Sequence, residues 1–134
     1  MNNPADFCVI NVGSHDMLIP QITSKQYIEN VVYFLKHLKG CLHIVWLETC
    51  SVGNTLNNNA KLNNKRIKLW NKLLFEDDHV MNLLDDVIHT FDISLNFKHT
   101  DPMHFHAAYY EKIVWKLTNQ VLNLKMRNRG ANKI

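Results

Sequence analysis

An α/β domain built on a parallel sheet is the fold class this sequence predicts. Two observations carry that expectation. Short apolar runs suited to buried strands alternate with longer segments of helical period, in the order strand, helix, strand, helix, strand, helix. Cap and turn residues fall at the joints between them, and no internal repeat or linker divides the chain. With 134 residues, 46% of them hydrophobic and only four Gly and three Pro, the chain is long enough to bury one core. It reads as one domain over residues 1–126 with a polar, basic tail over 127–134.

The first strand is expected at residues 7–12, a nearly continuous apolar run that ends at Gly13. A loop through Pro20 follows. Thr23-Ser-Lys-Gln26 then has the form of a capping box and opens a helix with Ile28, Val31, Val32, Phe34, Leu35 and Leu38 at helical spacing. Lys39-Gly40 reads as its end, with a basic last turn and a C′ glycine. Residues 42–47 form a second buried-type strand, and Glu48, Thr49, Cys50 and Ser51 leave its C-terminal end. Beyond an Asn-rich loop, residues 59–75 turn helical with Ile67, Trp70 and Leu74 on one side. Residues 79–84 are expected as a third strand, and 85–97 as a short helix and loop. The last helix, 107–126, carries Tyr110, Ile113, Val114, Leu117, Val121 and Leu124 at i, i+3, i+4, i+7 spacing.

In a parallel sheet, right-handed crossovers bring the C-terminal strand ends to one edge, where ligands bind. That edge is expected to gather residues 13–16, Glu48 to Ser51, Asp85 and Asp86, and the His-rich segment 99–106.

Several function classes lose support at this level. A net charge of +3 is too small to imply nucleic acid, and Lys65, Arg66, Lys68 and Lys72 read as the solvated side of a helix. No run approaches the ~20 apolar residues that span a bilayer, and the first seven residues lack signal-peptide form, so the default location is the cytoplasm. Cys8, Cys41 and Cys50 are odd in number with no C-x-x-C pair, which suggests neither a disulfide framework nor a zinc site, and Cys50 reads as an inert core thiol. His99, Asp101, His104 and His106 match no standard metal spacing. Trp46, Trp70 and Trp115 sit in apolar patterns and read as core.

Two short blocks stand out in this order. Val12-Gly13-Ser14-His15-Asp16 follows the first strand, and Asp101-Pro-Met-His104 precedes the last helix. Between them lie Ile44-Val-Trp-Leu-Glu-Thr-Cys50 and Asn63-x-x-Arg66 with Trp70-Asn71. Together they resemble the C-terminal half of an SGNH (GDSL-type) hydrolase of the PC-esterase-like branch, over roughly residues 7–122. The first block resembles the family's G-x-N-D block, with His15 where most members have Asn, and the second its D-x-x-H block.

The resemblance implies a three-layer, flavodoxin-like fold lacking its N-terminal strands. It also implies a serine esterase acting on acyl esters without metal or cofactor. By that resemblance Asp101 and His104 are the catalytic dyad, and Gly13, His15 and Asp16 form the oxyanion and substrate block. The family's Gly-Asp-Ser nucleophile block has no counterpart here, and Ser14 lies where the family puts its oxyanion donor. The chain alone is therefore expected to be inactive. The alternative is a non-catalytic, truncated relative that serves as a binding or assembly module. A missing first strand leaves an apolar edge beside residues 7–12, so self-association through that edge or poor solubility is expected.

Overall fold

The computed structural model describes residues 5–19 and 21–131, so residues 1–4, Pro20 and the last three residues of the expected tail lie outside the described residues. Three strands, β1 (Ala5–Ile10), β2 (Cys41–Leu47) and β3 (Asp86–Ile88), form a parallel sheet in the order β1-β2-β3. Seven helices accompany them among the described residues: α1 (Ser14–Leu18), α2 (Ser24–His37), α3 (Asn54–Asn57), α4 (Asn64–Glu76), α5 (Asp78–Leu83), α6 (Thr90–Ser94) and α7 (Ala107–Ala131). The mixed α/β class and the parallel sheet thus stand as expected.

Strand register sorts the side chains by parity. Cys8, Val9 and Ile10 lie opposite Ile44, Val45 and Trp46, while Trp46 and Leu47 lie opposite Val87 and Ile88. Ile10, Ile44, Trp46 and Val87 share one core with Val31 and Leu35 of α2 and Ile67, Trp70 and Leu74 of α4. Phe7, Val45, Leu47 and Ile88 point the other way, to Leu117 and Leu124 of α7. The two-residue period of a strand thus feeds two separate apolar clusters, and the helices divide between them. A third cluster, Phe105, Tyr109 and Ile113, joins the start of α7 to Leu47 and Cys50 at the end of β2.

Local signals explain most boundaries. The Thr23 hydroxyl accepts from the Gln26 amide while the Gln26 side chain accepts from the Thr23 amide, the reciprocal box that the sequence spells. The Asn63 side chain caps α4 by accepting from the Arg66 amide at 2.9 Å. Gly40 has φ +82° but stands beyond the extended cap residue Leu38, so it serves the turn into β2 and not the helix end itself.

The third strand is a correction. Residues 79–84 belong largely to α5, because the Asp77 side chain accepts from the Val80 amide at 3.1 Å and starts a helix there. The strand comes one segment later, as β3. Only Val87 and Ile88 are apolar in it, too few to display a period. Asp85 and Asp86 consequently lie at the N-terminal end of β3, away from the expected site edge. Asp85 instead ties β2, accepting from the Ile44 amide at 2.6 Å and donating its own amide to the Ile44 carbonyl.

Other departures concern the surface and the cysteines. β1 forms an edge of the sheet, and Val9 on it is 42% exposed, so this strand is not buried on both faces. Tyr110 and Val114 of α7, expected in the apolar stripe, are exposed, as is Trp115. The helix itself runs on to Ala131, past the expected start of the tail. Cys8 and Cys41 form a disulfide, with Cα atoms 5.7 Å apart, although the odd cysteine count without a C-x-x-C pair suggested no disulfide framework. In the ladder Cys8 faces Ile44 and Cys41 faces Ala5, so the bridge runs diagonally to the strand pairing. Counting thiols in denaturant without reductant is the direct test: the expected result is a single reactive thiol, Cys50, and three would mean that the bridge is absent.

Candidate functional site

The segment that leaves β2 organises the site. Glu48, Thr49, Ser51 and Val52 are all buried, although none belongs to a helix or strand. Buried backbone amides and carbonyls need partners, and side chains from four other segments supply them. Asn71 of α4 donates to the Thr49 carbonyl at 2.9 Å and accepts from the Thr49 amide at 3.3 Å. Asn64 makes the same two-way clasp on Val52, accepting at 2.7 Å and donating at 3.2 Å. The Ser94 hydroxyl accepts from the Ser51 amide, and His99 Nε2 lies 3.1 Å from the Ser51 carbonyl. The Asn11 amide group donates to the carbonyls of Leu47 and Glu48, and the Thr90 hydroxyl donates to that of Glu48.

Through this segment the loop after β1 takes its shape. The Thr49 hydroxyl donates to the Val12 carbonyl at 2.9 Å, which presses the chain at Gly13 against Thr49 and Tyr27. Gly13 has φ +129°, and a Cβ there would meet Thr49 Oγ1 at 2.5 Å and the Tyr27 hydroxyl at 2.9 Å. Only glycine fits, on both conformational and steric grounds. The turn then enters α1, leaving Ser14 and Asp16 half-buried and His15 exposed.

The loop before α7 is tied to the same segment, since the Gly53 amide donates to the Pro102 carbonyl at 2.8 Å. Asp101 shapes this loop by accepting from the amides of Met103 at 2.8 Å and His104 at 2.9 Å. Its two carboxylate oxygens lie 2.9 and 2.8 Å from His104 Nδ1. A carboxylate is an acceptor only, so Nδ1 carries the proton and the lone pair of the neutral ring stands on Nε2. The Met103 amide, followed by the His104 contacts, holds the Asp101 carboxyl below the usual carboxylate range. Both side chains are exposed.

The residues singled out in the sequence converge on a cavity of about 510 Å³. Gly13, Ser14, His15, Asp16 and His104 line it, with Phe105, Tyr109, Tyr110 and Ile113 as its aromatic and aliphatic part. Asp101 stands behind His104 and borders a neighbouring cavity of about 570 Å³ with His99, Lys98 and Asn54. Cys50 also lines the first cavity. Burial pushes its thiol upward, opposed in part by a hydrogen bond with Tyr109, so the neutral, poorly nucleophilic form prevails there. Among the described residues no group of three or more His, Cys, Asp or Glu is placed to hold a metal ion. The His99 ring instead lies tilted against Phe105, 4.0 Å between ring centroids.

Sequence reading missed Asn11, Asn64 and Asn71 as the residues that hold the site. Asn71 did stand within the resembling block, but nothing in one sequence marks an amide as the clasp of a distant loop. No family model, curated protein or solved structure matches this chain. No helix among the described residues is long and apolar enough to cross a membrane.

Two outcomes are expected. Asn71→Leu keeps the volume but strands both backbone groups of Thr49, and urea unfolding should show a loss of roughly 2–4 kcal/mol. The second concerns pH. Because the folded-state pKa of Asp101 is depressed, its contribution is present above the unfolded pKa and lost only as pH falls through the lower folded value. In an NMR titration the Met103 and His104 amide signals should therefore hold steady through the ordinary carboxylate range and move only below it; movement within that range would contradict the hydrogen-bonding account.

Proposed function

We propose that this chain supplies the acid–base and oxyanion half of an SGNH-type ester hydrolase, its nucleophile coming from a segment outside this sequence. The observation that carries the reading is that His104, hydrogen-bonded to Asp101, borders the same cavity as the Gly13 turn and His15. In the proposed reaction Asp101 keeps the His104 proton on Nδ1. His104 Nε2 takes the proton of an attacking hydroxyl and returns it to the departing alcohol. His15 offers an imidazole N–H to the oxyanion, an interaction of a kind that is typically worth ~3 kcal/mol. The apolar wall of Phe105, Tyr109 and Ile113 suits the acyl or aryl part of an ester.

The sheet edge supports the requirement for another segment. Position Val9 on β1 carries apolar surface that a further strand and its helix would cover, as a three-layer flavodoxin-like sandwich requires. A second reading, a non-catalytic binding or assembly module, is favoured by one observation. The chain contains no Gly-Asp-Ser, and the serine that reaches the cavity near His104 is Ser14, inside the oxyanion block itself.

One experiment separates the two. The coding sequence is expressed from the start of its native transcript and treated with a fluorophosphonate probe, which labels activated serines. The expected result is labelling of a serine upstream of residue 1, together with aryl-ester hydrolysis, both lost in His104→Ala and strongly reduced in Asp101→Asn. Absence of labelling and of ester hydrolysis would overturn the esterase reading and leave the binding module.

A further inference from the structure

We infer that α7 is a homodimer interface, in which the exposed face of this helix packs antiparallel against the same face of a second copy of the chain. The solvent-facing side of a surface helix is normally polar. Here it carries Tyr110, Val114, Trp115, Leu122 and Met126, with Val114 61%, Leu122 53% and Met126 69% exposed. The core-facing side is occupied separately by Tyr109, Ile113 and Leu124, so the helix has two apolar faces and only one of them is covered within the chain. Contiguous exposed apolar surface of this kind marks an interaction site.

The pattern of the uncovered face names the occupant. Thr118 stands at its middle, and all of the positions but Trp115 have a counterpart across it: Val114 and Leu122 four residues to either side, Glu111 and Lys125 seven, Tyr110 and Met126 eight. A two-fold axis through Thr118 of two antiparallel helices sets Val114 level with Leu122 of the second copy, and Tyr110 level with Met126. It also sets Glu111 level with Lys125 of the second copy, and Lys125 with its Glu111, so the two exposed charges near the seam complement each other twice. A parallel arrangement would instead set like charges level. At ~1.5 Å per residue the seam from Tyr110 to Met126 is about 24 Å long. The midpoint is fit for burial, because the Thr118 hydroxyl already donates to the Val114 carbonyl at 2.8 Å and turns no unpaired donor to the partner. Such an isologous contact closes on itself and stops at two copies. It is distinct from backbone pairing along the β1 edge, although Lys125 also reaches that strand, its ammonium 5.8 Å from the Phe7 ring centroid.

Sedimentation analysis of the 134-residue chain tests this. The expected species has twice the 15.7 kDa of one chain. Glu111→Lys and Lys125→Glu each set like charges across the seam and should weaken association about tenfold, and the double charge swap should restore it. Leu122→Glu should give a monomer. Under mild oxidation Thr118→Cys, which sits on the axis, should form a covalent dimer, while Asn123→Cys, on the flank of the helix, should not. All these positions are exposed, and unchanged circular dichroism will report that the fold is retained. A wild-type chain that sediments as a monomer, a dimer indifferent to Leu122→Glu, or a double swap that fails to recover association would each overturn the inference.

Discussion

The structure depends on satisfying the buried backbone of the segment that follows β2. A chain leaving the end of a strand usually runs over the surface, where water serves its polar groups. Here Thr49, Ser51 and Val52 are covered, so their amides and carbonyls must be met by protein atoms. The donors and acceptors come from β1's exit (Asn11), α4 (Asn64, Asn71), α6 (Thr90, Ser94) and the loop before α7 (His99). Elements far apart in sequence are thereby fastened to one strip of backbone. Two-way amide clasps suit this task because one Asn side chain carries both a donor and an acceptor.

That requirement also explains the form of the candidate site. The clasp on Thr49 directs its hydroxyl at Val12, and this close approach leaves Gly13 no room for a Cβ. On the other side the Gly53 amide holds Pro102, next to the Asp101 turn. The Gly13 turn and His104 thus border one cavity because both of their loops are fastened to the same short stretch of chain. Burial does the rest of the sorting. The exposed Asp101 keeps an accessible carboxylate, whereas covered Cys50 and Tyr109 are held in their neutral forms. Chemistry that needs a charged or basic group has His104 to draw on in this cavity, and a thiol route has little support.

Part of this was legible in the residues. Thr23 with Gln26 is a local device that closes its hydrogen bonds within three residues, and the helix it opens begins as its sequence indicates, whereas the Asn63 cap starts α4 at Asn64, five residues after the start that the helical pattern suggested. Residues 42–47 read as a buried strand because an apolar run of that length has few other uses. The Asp101 turn was equally local, since its acceptor reaches amides two and three positions on. By contrast the stretch 79–84 was misread, because its apolar residues suit either period and the deciding factor was the Asp77 cap just before it. Tyr110 and Val114 share the spacing of Ile113 and Leu117, and spacing alone cannot say which of two apolar faces on α7 meets the sheet.

The sequence by itself determined the α/β class, the parallel order of alternation and the local turns, because periodicity, caps and short-range hydrogen bonds act between residues close along the chain. The tertiary structure decided the rest. It set which strand is third, which apolar face of α7 is covered, that Cys8 reaches Cys41, and that three asparagines hold one loop. Each of those outcomes rests on contacts between residues distant in sequence, where packing, the accounting of buried polar groups and the geometry of approach choose among options that local pattern leaves equal.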